Sequence, residues 1–483
     1  MKNKDIKNIV YNSIRTCLSI VFPVVTFPYI LRVLQADNVG KLNFSQSIIS
    51  YFAMLATLGI STYAIRECSK VRNDRGKFSA IASEVYSINL YSTIFSYSVL
   101  IILVIFSKKL VDYRTLILIY SVNIISSTLG TDWINTAVED FKFLTIRSFI
   151  FHTISIIAMF LFVKNSSGYL IYAIISVTSN VLICVSNIFY RKKFCDIKFV
   201  LKPNFLKHIK PIAFLFVTIL SQNIFNNCDI TMLGLTLGNH SVGIYTTAHR
   251  VINIVFMVVA SICWVMMPQL SILFSHENYE SANELLHQII SFTIALAMPI
   301  VCGINLLAQE IILLVGGSSY LESVQCLRIL SLAMSISFFI GVFGNMVLIP
   351  SGNDKLYMTS CIIAMITNVI GNFFLIPTLG TNGASIATVL SELINLIIIL
   401  LLMDRRVKVN GIIKLVSSPL LGCITIVLIC LLFKSIIYNI FIKTFLSILF
   451  SSIIYFIILI LMKNEFAIYF IFPILRKLRI INE

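Results

Sequence analysis

The sequence predicts an all-α integral membrane protein of about fourteen transmembrane helices, two six-helix lobes followed by two C-terminal helices. Three observations predict it. The 483 residues are 58% hydrophobic and only 12% charged, more apolar surface than a soluble core can hide. The apolar runs are about twenty residues long, enough to span a bilayer as helices, whereas barrel strands run about ten residues and alternate. The Lys and Arg residues concentrate in alternate loops, the positive-inside pattern.

The runs lie near 9–34, 39–62, 79–106, 114–137, 147–163, 169–190, 209–235, 243–273, 285–308, 322–349, 355–376, 381–403, 411–433 and 440–462. With the N-terminus in the cytoplasm, 26 of the 37 basic residues sort to inside loops. Arg147 is counted among them. Seven sort outside: Arg32, Lys108, Lys109, Arg114, Lys164, Lys434 and Lys443. Both termini are therefore expected in the cytoplasm. Topology accounts for most of the net charge of +16, and no nucleic-acid partner is implied. The apolar stretch after Lys7 is too long for a signal h-region and lacks a small-x-small site, so it is expected to remain as the first span. The eleven cysteines occur singly, without C-x-x-C, and read as apolar filler.

No soluble domain is visible. The longest polar inside stretch, "RKKFCDIKFVLKPNFLKHIK" at 191–210, divides the chain into an N-terminal lobe (1–200, spans one to six) and a C-terminal lobe (201–403, spans seven to twelve). Residues 404–483 add spans thirteen and fourteen and a tail. "VLQADNVGKLNFSQSII" (33–49) aligns with "LTLGNHSVGIYTTAHRVI" (235–252), sharing Val-Gly at 39–40 and 242–243. Six spans separate the copies, which preserves orientation, so the repeats would be parallel about an axis along the membrane normal. The tail carries aromatics followed by Arg476, Lys477 and Arg479, a pattern suited to an anionic membrane surface.

Candidate functional residues are the charges that topology leaves unexplained, because ionisable groups within spans usually face a bundle interior or wet cavity. Arg15 and Arg32 lie on the first span, Arg250 about seven residues into the eighth, and Arg328 early in the tenth. Opposing them are Asp132 in span four, Asp229 in span seven, Glu310 after span nine and Glu392 in span twelve. Arg32 and Arg328 lie near span ends, where snorkelling competes with function. Arg15 suits either the cytoplasmic interface or a site. Arg250 lies too deep to snorkel and is expected to line a cavity. Asp229 follows Asn223, Asn226 and Asn227, and either pairs with an arginine or binds a coupling cation. Asp132 is a helix cap or a counter-ion. Glu310 reads as an outer-loop residue. Pro23, Pro28 and Pro299 fall inside spans and should bend them.

Catalysis finds no support. No phosphate loop, H-E-x-x-H or nucleophile–base pair is present, and no metal or cofactor is implied. The remaining bound species to expect is a coupling ion, H⁺ or Na⁺.

The motifs resemble a known family. "TFPYILRVLQADNVGKLNFSQSIISYF", "DWINTAVEDFKFLTIRS", "NNCDITMLGLTLGNHSVGIYTTAHRVINIV" and "PSGNDKLYMTSCIIAMITNVIGNFFLIPTLGTNGASIATVLSE" are similar, in order from about 8 to 403, to the polysaccharide-transport (Wzx-type flippase) family of the MOP exporter superfamily. The resemblance implies two six-helix lobes around a central cavity. It implies flipping of undecaprenyl-diphosphate-linked oligosaccharides, of O-antigen or capsule type, to the outer leaflet of the bacterial cytoplasmic membrane. Polymerase and chain-length proteins would be pathway partners. Arg32 falls where the family commonly has R-V-L-G, with Gln35 in place of the glycine. "AHR" at 248–250 resembles the A-D-R of lipid II flippases, whose arginine lines the cavity. Arginine suits a diphosphate because it binds bidentately and does not titrate; Arg32 and Arg250 would serve that headgroup. Two alternatives remain open: a multidrug or cation antiporter of the same superfamily, and a membrane polysaccharide polymerase or ligase. An antiporter should show an acidic cavity, and an enzyme a large outer loop.

Reporter fusions after Lys193 and Arg406 are expected to read cytoplasmic, and fusions after Asn165 and Gly238 external. An external reading at Lys193 would break the lobe assignment.

Overall fold

Two helices are too long for one crossing. In the computed structural model, which describes residues 3–264, 266–408 and 411–472, α1 (Asn3–Thr57) has 55 residues and α13 (Asp354–Leu402) has 49. At about 1.5 Å per residue each exceeds 70 Å, against a hydrocarbon core of about 30 Å. Each is broken once, α1 at Gln35 (φ 65°, ψ 167°) and α13 at Gly380 (φ 62°, ψ −136°). Each therefore supplies two spans. The others are α2 (Ile60–Lys70), α3 (Arg75–Phe106), α4 (Arg114–Gly130), α5 (Asp132–Ala137), α6 (Phe141–Phe162), α7 (Tyr169–Tyr190), α8 (Phe205–Thr236), α9 (Asn239–Trp264), α10 (Met267–Ser275), α11 (Tyr279–Val315), α12 (Ser323–Ile340), α14 (Ile412–Ile436) and α15 (Ile440–Leu461). Eleven helical stretches are long and apolar enough to cross a membrane. Two of them hold the broken pairs, and α4, with 17 residues, supplies the crossing expected at 114–137. No strand occurs among the described residues. Arg476, Lys477 and Arg479 of the tail lie outside the described residues.

The contacts fall into two compact units, Met1–Gly243 and Ile244–Glu483. By packing, α8 belongs with the first six spans.

In the first unit, the Val-Gly repeat is a close contact. A Cβ at Gly40 would lie 1.8 Å from the Asn239 carbonyl oxygen, and one at Gly243 would lie 2.1 Å from that of Ala36. Each glycine is thus pressed on the backbone four residues before the other. Only a residue without a side chain fits either place. The linker after α7 is strapped to α3. Its backbone N–H groups at Asp196, Lys198 and Val200 donate to Ser79, Ser83 and Ser87 at 3.1, 3.0 and 2.9 Å. Those serines recur every four residues along one helix face.

In the second unit, α15 is held to α11 at three levels. Lys443 pairs with Glu310 at 3.0 Å. The Tyr455 hydroxyl donates to the Ala295 carbonyl at 2.7 Å. His287 pairs with Glu465, just past α15. The middle contact follows from a proline. Pro299 has no N–H, so the carbonyl four residues earlier loses its helical partner, and that carbonyl is Ala295. Tyr455, from a neighbouring helix, supplies the missing donor. A π-helix at Gly341–Leu348 continues α12.

Gln35 occupies a backbone region that glycine alone enters without strain. Its side chain offsets part of the cost by donating to the Arg32 carbonyl at 2.7 Å, one of the carbonyls orphaned at the helix end. Gln35→Gly is expected to stabilise the protein by about 1 kcal/mol and Gln35→Val to destabilise it, as read by thermal unfolding in detergent. The reverse order would contradict the assigned break.

Candidate functional site

The first unit gathers its intramembrane charges where α4, α5, α6 and α7 meet. Thr131, with φ 47°, ends α4 and starts α5, which puts Asp132 in the first turn of a helix, where a carboxylate is favoured. Asp132 Oδ2 accepts from Arg147 Nη2 of α6 at 2.7 Å. Asp132 Oδ1 accepts from Asn187 Nδ2 of α7 at 3.2 Å. Asn187 Oδ1 in turn accepts from Asn135 Nδ2 at 2.6 Å. Arg191, after α7, donates to the Leu129 carbonyl and the Thr131 hydroxyl at 2.9 and 2.7 Å. The Arg147 side chain is 2% exposed and that of Asp132 is 38% exposed. Arg147 Nε and Nη1 are buried without an acceptor among the described residues, and the guanidinium lies 5.3 Å from the Phe143 ring centroid. Arg15, half-buried on α1, is within the electrostatic reach of both Asp132 and Arg147.

The expected site residues are thus distributed. Arg15 and Asp132 come together, with Arg147 between α6 and the acid. Arg32 is exposed in the last turn before Gln35. Asp229 is buried on α8, with Tyr51 in its field. Nearby, Ser47 and Tyr51 of α1 each lie 3.1 Å from the Thr231 hydroxyl.

In the second unit, Arg250 is exposed on α9. Arg328 is half-buried on α12, and its Nε donates to the Asn305 carbonyl of α11 at 3.3 Å, a contact that ties the two helices. Counting from the paired glycines, Arg250 corresponds to Ser47 and Arg32 to Leu235, so the two arginines are not repeat equivalents. Glu310 corrects an expectation. It lies within α11, 3% exposed, and pairs with Lys443. The helix runs past the end of the apolar run because this ion pair shields its last turns.

A cavity of 630 Å³ opens in the same unit, lined from α11 by Ile290, Ile294, Met298 and Val301, from α12 by Phe339, from α13 by Leu396 and Leu400, and from α14 by Val416. Such a lining offers hydrocarbon contact and little hydrogen bonding, so it suits an apolar chain.

Sequence reasoning missed Arg147 and Lys443, both sorted as loop charges. One signal was present: Asp132 and Arg147 bracket the single short turn between α5 and α6. Nothing local marks Lys443 as the partner of Glu310. Among the described residues no group of three or more His, Cys, Asp or Glu could hold a metal ion.

A family model described as polysaccharide biosynthesis protein matches residues 6–274, more than half of the chain. The chain belongs to the polysaccharide biosynthesis protein family. This family member is 22% identical over 400 residues to the capsular polysaccharide biosynthesis protein CapF of Staphylococcus aureus, covering 81% of this chain and 97% of the relative. Its fold matches that of the lipid II flippase MurJ in an inward closed conformation, with a TM-score of 0.76 at 19% identity over 93% of this chain and 98% of that one. It also matches an inward-facing multidrug resistance MATE family transporter of the MOP superfamily, with a TM-score of 0.59 at 14% identity over 81% and 100% of the two chains. The family resemblance and the all-helical exporter fold read from the sequence are borne out. This member of the polysaccharide biosynthesis protein family is a multi-pass membrane protein.

Removing one partner of a buried pair strands the other charge. Asp132→Ala leaves Arg147 buried and uncompensated, and is expected to cost roughly 3–5 kcal/mol. Arg147→Gln leaves a carboxylate that is 38% exposed and still accepts from Asn187, and should cost less. A double-mutant cycle on unfolding in detergent checks both the order and the coupling. Equal costs with strict additivity would contradict the pairing.

Proposed function

We propose that this protein flips undecaprenyl-diphosphate-linked oligosaccharide repeat units from the cytoplasmic to the outer leaflet of a bacterial cytoplasmic membrane. The observation that carries the reading is Arg250, exposed within an apolar membrane helix of a polysaccharide biosynthesis family member. A permanent cation at such a position is costly and marks a place where an anion is handled. Two spans' acids are meanwhile tied to internal bases, Asp132 to Arg147 and Glu310 to Lys443. Those two acids are therefore not available to an organic-cation cargo.

On this reading Arg250 binds the diphosphate bidentately, and Arg32 offers the headgroup a cation on α1. Arg15 and Arg328 contribute charge from α1 and α12. Asp132 acts as a counter-ion that keeps Arg147 and Arg15 oriented, and Asp229 acts as a second counter-ion or a coupling-ion ligand. The sugars cross in a polar path, while the polyprenyl chain stays in lipid and in the apolar cavity of the second unit. Alternating access proceeds by rocking, with both termini in the cytoplasm.

Arg250→Ala is expected to reduce glycan export at least about tenfold while protein level stays normal, since a charge-assisted hydrogen bond is worth about 1.5–3 kcal/mol. Arg250→Lys should recover only part, because lysine keeps the charge and loses the fork. Full export by the alanine variant would reduce Arg250 to a structural residue.

A further inference from the structure

Glu392 is a mid-span acid outside the ion pairs described above. Glu392 lies twelve residues after the break at Gly380 and ten before the end of α13 at Leu402. At about 1.5 Å per residue that is about 18 and 15 Å from the two ends, the middle of a hydrocarbon core of about 30 Å. Its side chain is half-buried. Among the described residues its hydrogen-bond partner is the Ser337 hydroxyl of α12, whose Oγ lies 2.8 Å from Glu392 Oε1. The titratable groups facing it are Tyr357 and Cys361, on the first half of α13. Around Tyr357 the π-helix presents Asn345, a neutral amide. No lysine, arginine or histidine among the described residues acts on Glu392.

Depth and the lack of a basic partner favour its protonated form: an unpaired carboxylate here would carry the full cost of an uncompensated charge in the membrane. The Ser337 hydroxyl suits either state. Its Oγ is also 3.0 Å from the Ala333 carbonyl oxygen, which already accepts the Ser337 backbone N–H of the helix ladder, and a serine hydroxyl has one hydrogen to give. With Glu392 protonated, its O–H donates to Ser337 Oγ and the Ser337 O–H donates to Ala333.

From this geometry we propose that Glu392 is a proton-binding site of the second unit, protonated in the conformation described here and deprotonated in another state of the transport cycle. On release, the proton passes from the carboxyl group to a water admitted in that other state. The Ser337 hydroxyl then turns from Ala333 to donate to the new carboxylate. The π-helix begins four residues after Ser337, at Gly341, and irregular helix of this kind is frequent at functional sites. The change in the Ser337 bond is therefore delivered to the turn of α12 next to a deformable segment. The coupling role rests on the proposed transport function; the proton itself does not.

The test uses the full-length protein in lipid vesicles. Infrared difference spectra between acid and alkaline pH are expected to contain a protonated-carboxyl C=O band that disappears in Glu392→Gln. The band should persist, shifted toward a weaker hydrogen bond, in Ser337→Ala, and should be retained in Glu392→Asp. No band lost in Glu392→Gln would overturn the site. In the second arm, export of lipid-linked glycan by wild type should change several-fold across the pH range in which the band titrates, and export by Glu392→Gln should be flat. A pH dependence that survives unchanged in Glu392→Gln would overturn the coupling. If the protein moves no lipid-linked glycan at all, the second arm fails for wild type as well, and the infrared arm still reads the proton.

Discussion

A membrane interior supplies no water to pair a charge or a backbone carbonyl, and the fold is arranged around that scarcity. Several polar groups placed at depth take a partner from another helix. Asp132 takes Arg147, Asn187 and a place at a helix start. The Ala295 carbonyl, released by Pro299, takes Tyr455. Glu310 takes Lys443. Even the break at Gln35 is closed by its own side chain. These contacts do little for hydrophobic burial. They determine which helices stay together, because separating them would strand a polar group in lipid.

The same scarcity explains how the two units differ inside. The first unit concentrates polarity at the corner of α4 to α7 and along the α1–α8 contact. The second keeps an apolar-lined cavity among α11, α12, α13 and α14. The α14–α15 pair is anchored by Tyr455 and Lys443 and so forms a fixed wall of the cavity.

Much of this was legible in the sequence. Run length marked the long apolar helices, since a span needs about twenty apolar residues, but not the breaks at Thr131 and before α10. The Val-Gly repeat was visible as a motif, although its reason, two glycines each pressed on the other copy's backbone, needs three dimensions. Pairing was not legible. Arg147 and Lys443 were sorted by loop, because charge counting cannot tell a lysine at the interface from one turned inward against an acid. Glu310 sits at the end of an apolar run, and its partner lies more than a hundred residues away. Glu392 stood out as an acid in an apolar helix, but that Ser337 rather than a base lies beside it needs three dimensions.

The central claim is that exposed arginines on membrane helices of this protein exist to bind a diphosphate attached to a polyprenyl chain. The most direct test is binding to the purified full-length protein, comparing undecaprenyl diphosphate with uncharged undecaprenol of the same chain length. Retention of the diphosphate well above the alcohol, with the difference narrowing as salt is raised, is the predicted result. Equal retention of the two lipids would show that the chain alone is recognised and would contradict the account.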